Sequence, residues 1–233
     1  MTLPDGAAPP GGRPVVVLLH GGFWRARYSL RLEDDLVADL AGRGYAVWNL
    51  EYRGLGVRSG GGWPATFEDV AAGIDELDRL DAALDLARVH AIGHSAGGQL
   101  ALWAAGRSEP EPRIRLAGAV SQAGVVDLRE ADRLGISNGA VRALIGGPPG
   151  KLPERYDAAS PIEHLPIGVP TLLVHGTEDD AVPHALSRTY AKRAGEAQEL
   201  CELVTLPGVG HMEHLDPRSS AWAPVVTWLE AMT

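Results

Sequence analysis

Short apolar runs alternate with longer segments of helical spacing along most of this chain, and that rhythm restricts its possible folds more than any other feature. Residues 15–19 (Val-Val-Val-Leu-Leu) form one such run, with Pro14 before it and Gly21 and Gly22 after it, as suits a strand buried on both faces. Across residues 31–41 the apolar positions Leu32, Leu36, Val37 and Leu40 fall near the spacing of one helix face, and Gly42 and Gly44 are stop signals. Residues 45–50 read as the next strand. A helix is expected over 66–80, capped by Thr66 with Glu68 and Asp69 in its first turn. Strands at 89–92, 116–121, 171–175 and 200–206 and helices at 97–105, 184–194 and 221–231 continue the series. The pattern predicts an α/β fold, a mainly parallel sheet of about six strands flanked by helices.

Two stretches depart from the rhythm. Residues 1–14 are rich in Pro and Gly and lack the basic start and apolar core of a secretory signal, so they read as a flexible lead-in, and a cytoplasmic location is expected. Residues 124–170, with Gly146 to Gly150 clustered between two weakly helical pieces, read as a short cap-like insertion over the functional site. The remaining length, 15–233, suits one domain with one sizeable core.

Composition removes several function classes. No segment approaches the 18 or so uninterrupted apolar residues of a membrane span, so a water-soluble protein is expected. With 21 basic against 30 acidic residues and no dense Lys/Arg cluster, nucleic acid is not an expected partner. Cys201, the single cysteine, excludes an intramolecular disulfide and a cysteine-based zinc site, and it reads as a small core residue. The glycine-rich stretch 54–62 opens no helix directly, so it does not read as a dinucleotide loop. No cofactor or metal is expected.

Gly93-His94-Ser95-Ala96-Gly97 matches G-x-S-x-G, which places a serine on a tight turn between a strand and a helix with its Oγ at the carboxyl edge of the sheet. The expected strand before it and helix after it supply the context the motif needs. A serine hydroxyl needs a base to take its proton, and the base needs a carboxylate to orient it. Of the histidines, His211 and His214 lie in a loop after the last expected strand; Gly208 and Gly210 give His211 freedom to turn back toward Ser95, and it is preferred. The acid is expected just after the strand at 171–175, where Glu178, Asp179 and Asp180 are adjacent, and position alone does not choose among them.

His20-Gly21-Gly22-Phe23-Trp24, directly after the first strand, resembles the loop that supplies oxyanion donors in lipases and esterases. The backbone N–H groups of Gly22, Phe23 and Ala96 are the expected donors, with His20 holding the loop. Phe23, Trp24 and Trp63 crowd the neighbouring loops, which predicts a compact aromatic-lined pocket with Trp24 and Trp63 as substrate-binding residues.

With these residues in place the chain resembles the α/β-hydrolase superfamily from Val15 onward, and more narrowly small esterases and the kynurenine formamidase (arylformamidase) group. The narrower resemblance rests on residues 20–24 and 93–98, on Gly124-Val125-Val126-Asp127-Leu128, and on Ala159-Ser160-Pro161 ahead of His175-Gly176. It implies that the acid is the fifth residue of the block starting His175-Gly176, which is Asp179, with Asp180 as the fallback. It also implies that the first two strands of the full sheet are missing, because the chain begins almost at the oxyanion strand. The implied activity is hydrolysis of carboxylic esters or small amides through an acyl-serine intermediate, with N-formylkynurenine-type amides as one alternative and a catalytically silent, ligand-binding hydrolase-like domain as another. The implied partner is a small-molecule ester or amide.

Overall fold

Val15, Val16, Val17, Leu18 and Leu19 are all fully buried, yet alternate residues enter different cores. Val15, Val17 and Leu19 join one apolar cluster, while Val16 and Leu18 join the other, because successive side chains of a strand point to opposite faces. The strand that carries them is therefore internal to a sheet covered on both sides. A computed structural model, which describes residues 1–108 and 111–232, shows that sheet in full.

Six strands, β1 (Arg13–Leu19), β2 (Ala46–Leu50), β3 (Leu84–His94), β4 (Gly118–Gln122), β5 (Thr171–Gly176) and β6 (Cys201–Leu206), lie in the order β2-β1-β3-β4-β5-β6. All five pairings are parallel, with Val17 set between Trp48 of β2 and Ala91 of β3. Helices α1 (Asp34–Gly42), α2 (Ala65–Asp75) and α3 (Ala96–Gly106) follow the first three strands. Residues 124–170 hold three short helices, α4 (Leu128–Arg133), α5 (Ala140–Ile145) and α6 (Pro153–Ala159), and the chain then adds α7 (Ala185–Glu196) and α8 (Ala223–Met232). Buried side chains of α2 to α7 belong to the cluster on one face, and those of α1 and α8 to the cluster on the other. The α/β-hydrolase architecture expected from the sequence is the one observed.

Some boundaries differ. β3 begins at Leu84 rather than 89, since Leu84 and Asp85 pair with Arg13 and Pro14 before a register shift; these residues are half-buried, so no apolar run announces them. Thr66 does not cap α2. It lies inside the first turn, where its hydroxyl accepts from Gly62 N–H at 2.9 Å and donates to the Arg53 carbonyl at 2.5 Å, tying the helix to the preceding loop. At the start of the chain, Thr2 forms an antiparallel bridge with Val47. Cys201 is half-buried at the start of β6 rather than central to the core, and burial pushes its thiol pKa up. Among the described residues no helix is long and apolar enough to cross a membrane.

Parallel strands bring all their carboxyl ends to one edge, where an α/β sheet places its ligands. The loops after β1, β3, β4, β5 and β6 therefore meet there. A cleft of about 790 Å³ beside Cys201 and Trp228 lies at the opposite edge, lined by the starts of β5 and β6 and by α8.

Candidate active site

Ser95 stands between β3 and α3 with φ 56° and ψ −116°, a strained turn for a non-glycine residue. The strain is held in place by packing. Ser95 N–H donates to the Gln122 carbonyl at 2.8 Å, and a side chain at Gly97 would overlap the Leu19 carbonyl oxygen, so α3 rests directly on the end of β1. Ser95 is 1% exposed and lies on the floor of the carboxyl edge.

The oxyanion-type loop reaches the same point. A Cβ added to Gly21 would come within 3.2 Å of the Ser95 Cβ and 2.9 Å of the His94 Nδ1. Gly22, Phe23 and Trp24 then follow with φ of 106°, 52° and 55°, a backbone path that side chains rarely take. His20 holds this loop at its root: Nδ1 donates to the Gly21 carbonyl at 2.8 Å and Nε2 pairs with Glu51 Oε1 at 2.9 Å. Tyr52 stacks on its ring at 4.3 Å and donates to its carbonyl at 2.6 Å. At the start of α3 the first N–H groups, Ala96 included, have no acceptor within the helix.

Of the three adjacent carboxylates, Asp179 alone has a buried side chain; Glu178 and Asp180 are exposed. Its Oδ1 accepts from Ala181 N–H at 2.9 Å and Val182 N–H at 2.8 Å. Its Oδ2 accepts from His211 Nδ1 at 2.7 Å and lies 3.2 Å from His175 Nε2, which also donates to the Val182 carbonyl at 2.9 Å. Burial raises the carboxyl pKa, but the hydrogen bonds from His175, His211 and Val182 outweigh it and hold Asp179 well below the usual carboxylate range. An imidazole fixed at Nδ1 by a carboxylate presents Nε2 as a base.

His214, the other candidate base, does not meet Asp179. Its ring is fully buried with both nitrogens unpartnered, and burial together with the nearby His175 and His211 lowers its pKa to about 3. His94 lies between the two, 4.6 Å from the His211 ring and 6.0 Å from that of His214. Thus Ser95, Asp179 and His211 occupy three loops of the same edge, and the Gly22–Phe23 backbone approaches from a fourth.

Trp24 departs from its expected place. It is 1% exposed, packs in the core and donates through Nε1 to Gln99 Oε1 at 3.0 Å, so its indole ties the loop down rather than walling a pocket. Gln99 in turn donates to the Ala159 carbonyl at 2.8 Å, joining the oxyanion-type loop, α3 and α6 through one buried amide. Trp63 is half-buried and sits edge-on to Phe67 at 5.0 Å, which meets Trp103 at 4.8 Å. The 124–128 and 159–161 blocks meet each other: Leu128 N–H donates to Ser160 Oγ at 3.0 Å, and Ile162 N–H to the Val126 carbonyl at 3.1 Å.

His94, His175 and Gln99 carry site geometry that residue spacing did not reveal. His94 and His175 stood inside motifs already noted, but the partner of His94 lies 117 residues away, on a loop whose approach only the fold decides, and that of His175 lies four residues on, across the turn after β5. Among the described residues no group of three or more His, Cys, Asp or Glu is arranged to hold a metal.

A model of the BD-FAE family matches residues 2–193. No curated protein matches the sequence. Among solved structures, a bifunctional GH43-CE protein of Bacteroides eggerthii superposes with a TM-score of 0.84 at 22% identity over 99% of this chain; the chain spans 35% of that protein. An acetyl ester-xyloside bifunctional hydrolase of Caldicellulosiruptor lactoaceticus gives 0.81 at 22% identity, covering 99% of this chain and 86% of that one. The propionate-bound esterase Est2 of Thermogutta terrifontis gives 0.75 at 25% identity, covering 98% and 84%.

Proposed function

The chain belongs to the BD-FAE family and has the α/β-hydrolase fold, and on that footing we propose that it is an ester-cleaving serine hydrolase with Ser95 as nucleophile, His211 as base and Asp179 as orienting acid. The observation that carries the assignment is the 2.7 Å bond from His211 Nδ1 to Asp179 Oδ2, which leaves Nε2 as the basic nitrogen on the loop beside Ser95.

Ser95 Oγ loses its proton to His211 Nε2 and bonds to the ester carbonyl carbon. The N–H groups of Ala96 and of Gly22 or Phe23 hold the negative oxygen of the tetrahedral intermediate, a task worth about 3 kcal/mol per donor in such sites. Collapse breaks the bond to the alcohol oxygen, which takes the proton from His211 and leaves. Water, deprotonated by the same imidazole, then attacks the acyl-serine and releases the acid. The low pKa of Asp179 keeps it anionic throughout, so it steadies the transient imidazolium.

A compact acyl group fits a nucleophile so little exposed, and the similar esterases named with acetyl ester or propionate fit the same reading. The test is a series of p-nitrophenyl esters of graded acyl length beside N-formylkynurenine, run on the wild type and Ser95→Ala. Short-chain esters cleaved by the wild type alone are the expected result. Faster turnover of N-formylkynurenine would make the enzyme a formamidase, and no turnover of any substrate would leave a silent binding domain.

A further inference from the structure

Arg25 and Arg27 line a cleft of about 470 Å³ in which no aspartate or glutamate takes part. Several arginines of the chain meet acids, Arg43 with Asp39, Arg53 with Asp69, Arg107 with Asp75 and Arg142 with Asp132, while others, Arg13 and Arg155 among them, bond backbone carbonyls. Arg25 donates to the Ser137 carbonyl at 3.1 Å, and Arg27 to the Tyr28 hydroxyl at 3.1 Å, so both guanidinium groups keep their charge uncompensated by a carboxylate among the described residues.

Three segments build the cleft: the continuation of the oxyanion-type loop, the loop after β2 that carries Leu55 and Ser59, and the start of α5 with Asn138. They are joined to one another and to the candidate active site. Leu55 N–H donates to the Trp24 carbonyl at 2.5 Å and Ala26 N–H to the Leu55 carbonyl at 3.0 Å, one and three residues beyond Phe23. Strain marks the same place. Of the eight described non-glycine residues with positive φ, Phe23, Trp24, Arg58, Ser137 and Asn138 stand on or directly beside these segments. Such backbone persists only where its surroundings fix it, and it gathers at sites that clamp ligands.

We propose that the cleft is a carboxylate-binding subsite, in which Arg25 and Arg27 take the acid group of a sugar-sized organic acid. Planar guanidinium groups match a carboxylate in geometry as well as charge, and Ser59 and Asn138 offer polar partners to hydroxyls beside it. The volume suits a single ring. Binding stands on the cleft alone; that the bound acid is part of the substrate, an ester of a uronic-type sugar, rests on the esterase reading above.

D-galacturonate and D-galactose differ only in the acid at C6, so calorimetric titration of the wild type with each isolates the carboxylate. Galacturonate should bind at least about tenfold tighter, weaken as salt is raised, and lose about tenfold in Arg27→Glu. Arg27 is exposed, so that variant should melt as the wild type does; Arg25→Gln serves as the second probe. Equal affinities for the two sugars, or galacturonate binding unchanged in Arg27→Glu, would overturn the subsite. Acetate release from O-acetyl galacturonate and O-acetyl galactose then tests the substrate claim: a preference for the acid that Arg27→Glu removes supports it, and no preference overturns it. Binding without release of acetate from either sugar would leave the subsite standing and overturn the substrate claim, while the esterase reading is decided separately by the p-nitrophenyl series.

Discussion

His94 donates from Nε2 to the backbone carbonyl oxygen of His211 at 2.9 Å, so the residue before the nucleophile fixes the loop that carries the base. Burial, with the His211 and His214 imidazoles beside it, holds the His94 pKa well below the ordinary value. The ring stays neutral across the working pH range, with its one proton on the nitrogen that faces His211.

If this bond sets the position of His211, His94→Leu should lower kcat by about 10- to 100-fold with little change in KM, since small misplacements of a catalytic group cost rates of that order. His94→Gln keeps an N–H donor and should recover much of the loss. Steady-state kinetics on a p-nitrophenyl ester decide it: equal losses in the two variants would mean that the side chain matters only as packing.

Asp179→Asn should cost kcat about 10⁴-fold, as loss of the orienting carboxylate does in related chemistry, while Glu178→Gln and Asp180→Asn stay within about twofold. Its low pKa also predicts an effect on acid stability. Because the folded value lies below the unfolded one, Asp179 stabilises the fold above pH 3.8, and that contribution fades as pH falls toward the folded value. Wild type and Asp179→Asn should therefore converge in Tm as the pH is lowered, and parallel curves would contradict this.

Glu33 has the opposite sign. It is 1% exposed, Oε1 has no partner, and burial raises its pKa to about 8 from 4.5. The fold prefers the protonated form, so stability is greatest below pH 4.5 and falls until the pH passes 8. Removing the charge by Glu33→Gln should add about 3 kcal/mol at pH 7 and almost nothing at pH 4.5. Urea denaturation at the two pH values measures it; an equal gain at both would place the cause elsewhere.

Gln99→Met preserves volume but strands the Trp24 indole N–H and the Ala159 carbonyl. A loss of about 2 to 6 kcal/mol is expected, because each of the two buried polar groups left unpaired costs about 1 to 3 kcal/mol. Denaturant unfolding reads it directly, and a loss below about 1 kcal/mol would show that the amide does not bind the three segments together.

The central strands were legible because both their faces are buried: Val15 to Leu19 and Thr171 to Val174 read as continuous apolar runs. The first half of β3 was not, since Leu84 to Arg88 is half-buried or exposed and carries charge. Thr66 misled for a related reason. A threonine before a helical pattern suits a cap, but its hydroxyl bonds the preceding loop at Gly62 and Arg53 rather than the first turn of its own helix. Strand order and turn chemistry located the loops that carry Ser95 and His211, whereas Asp179 was singled out from its two acidic neighbours only by the family resemblance. Trp24 was misplaced because an aromatic residue beside a site signals apolar contact without saying on which side, and its partner, Gln99, lies in an expected helix whose spacing does not show what the amide bonds.

The contact of Gly97 with the end of β1 limits how this protein can change. Strand end, nucleophile turn and oxyanion-type loop move as one body, so substitutions there perturb all three together. New substrate preferences are open mainly to residues 124–170 and to the loop after β2, which border that body without forming it. Lineages of this chain should diversify at those two segments while the elbow stays the same.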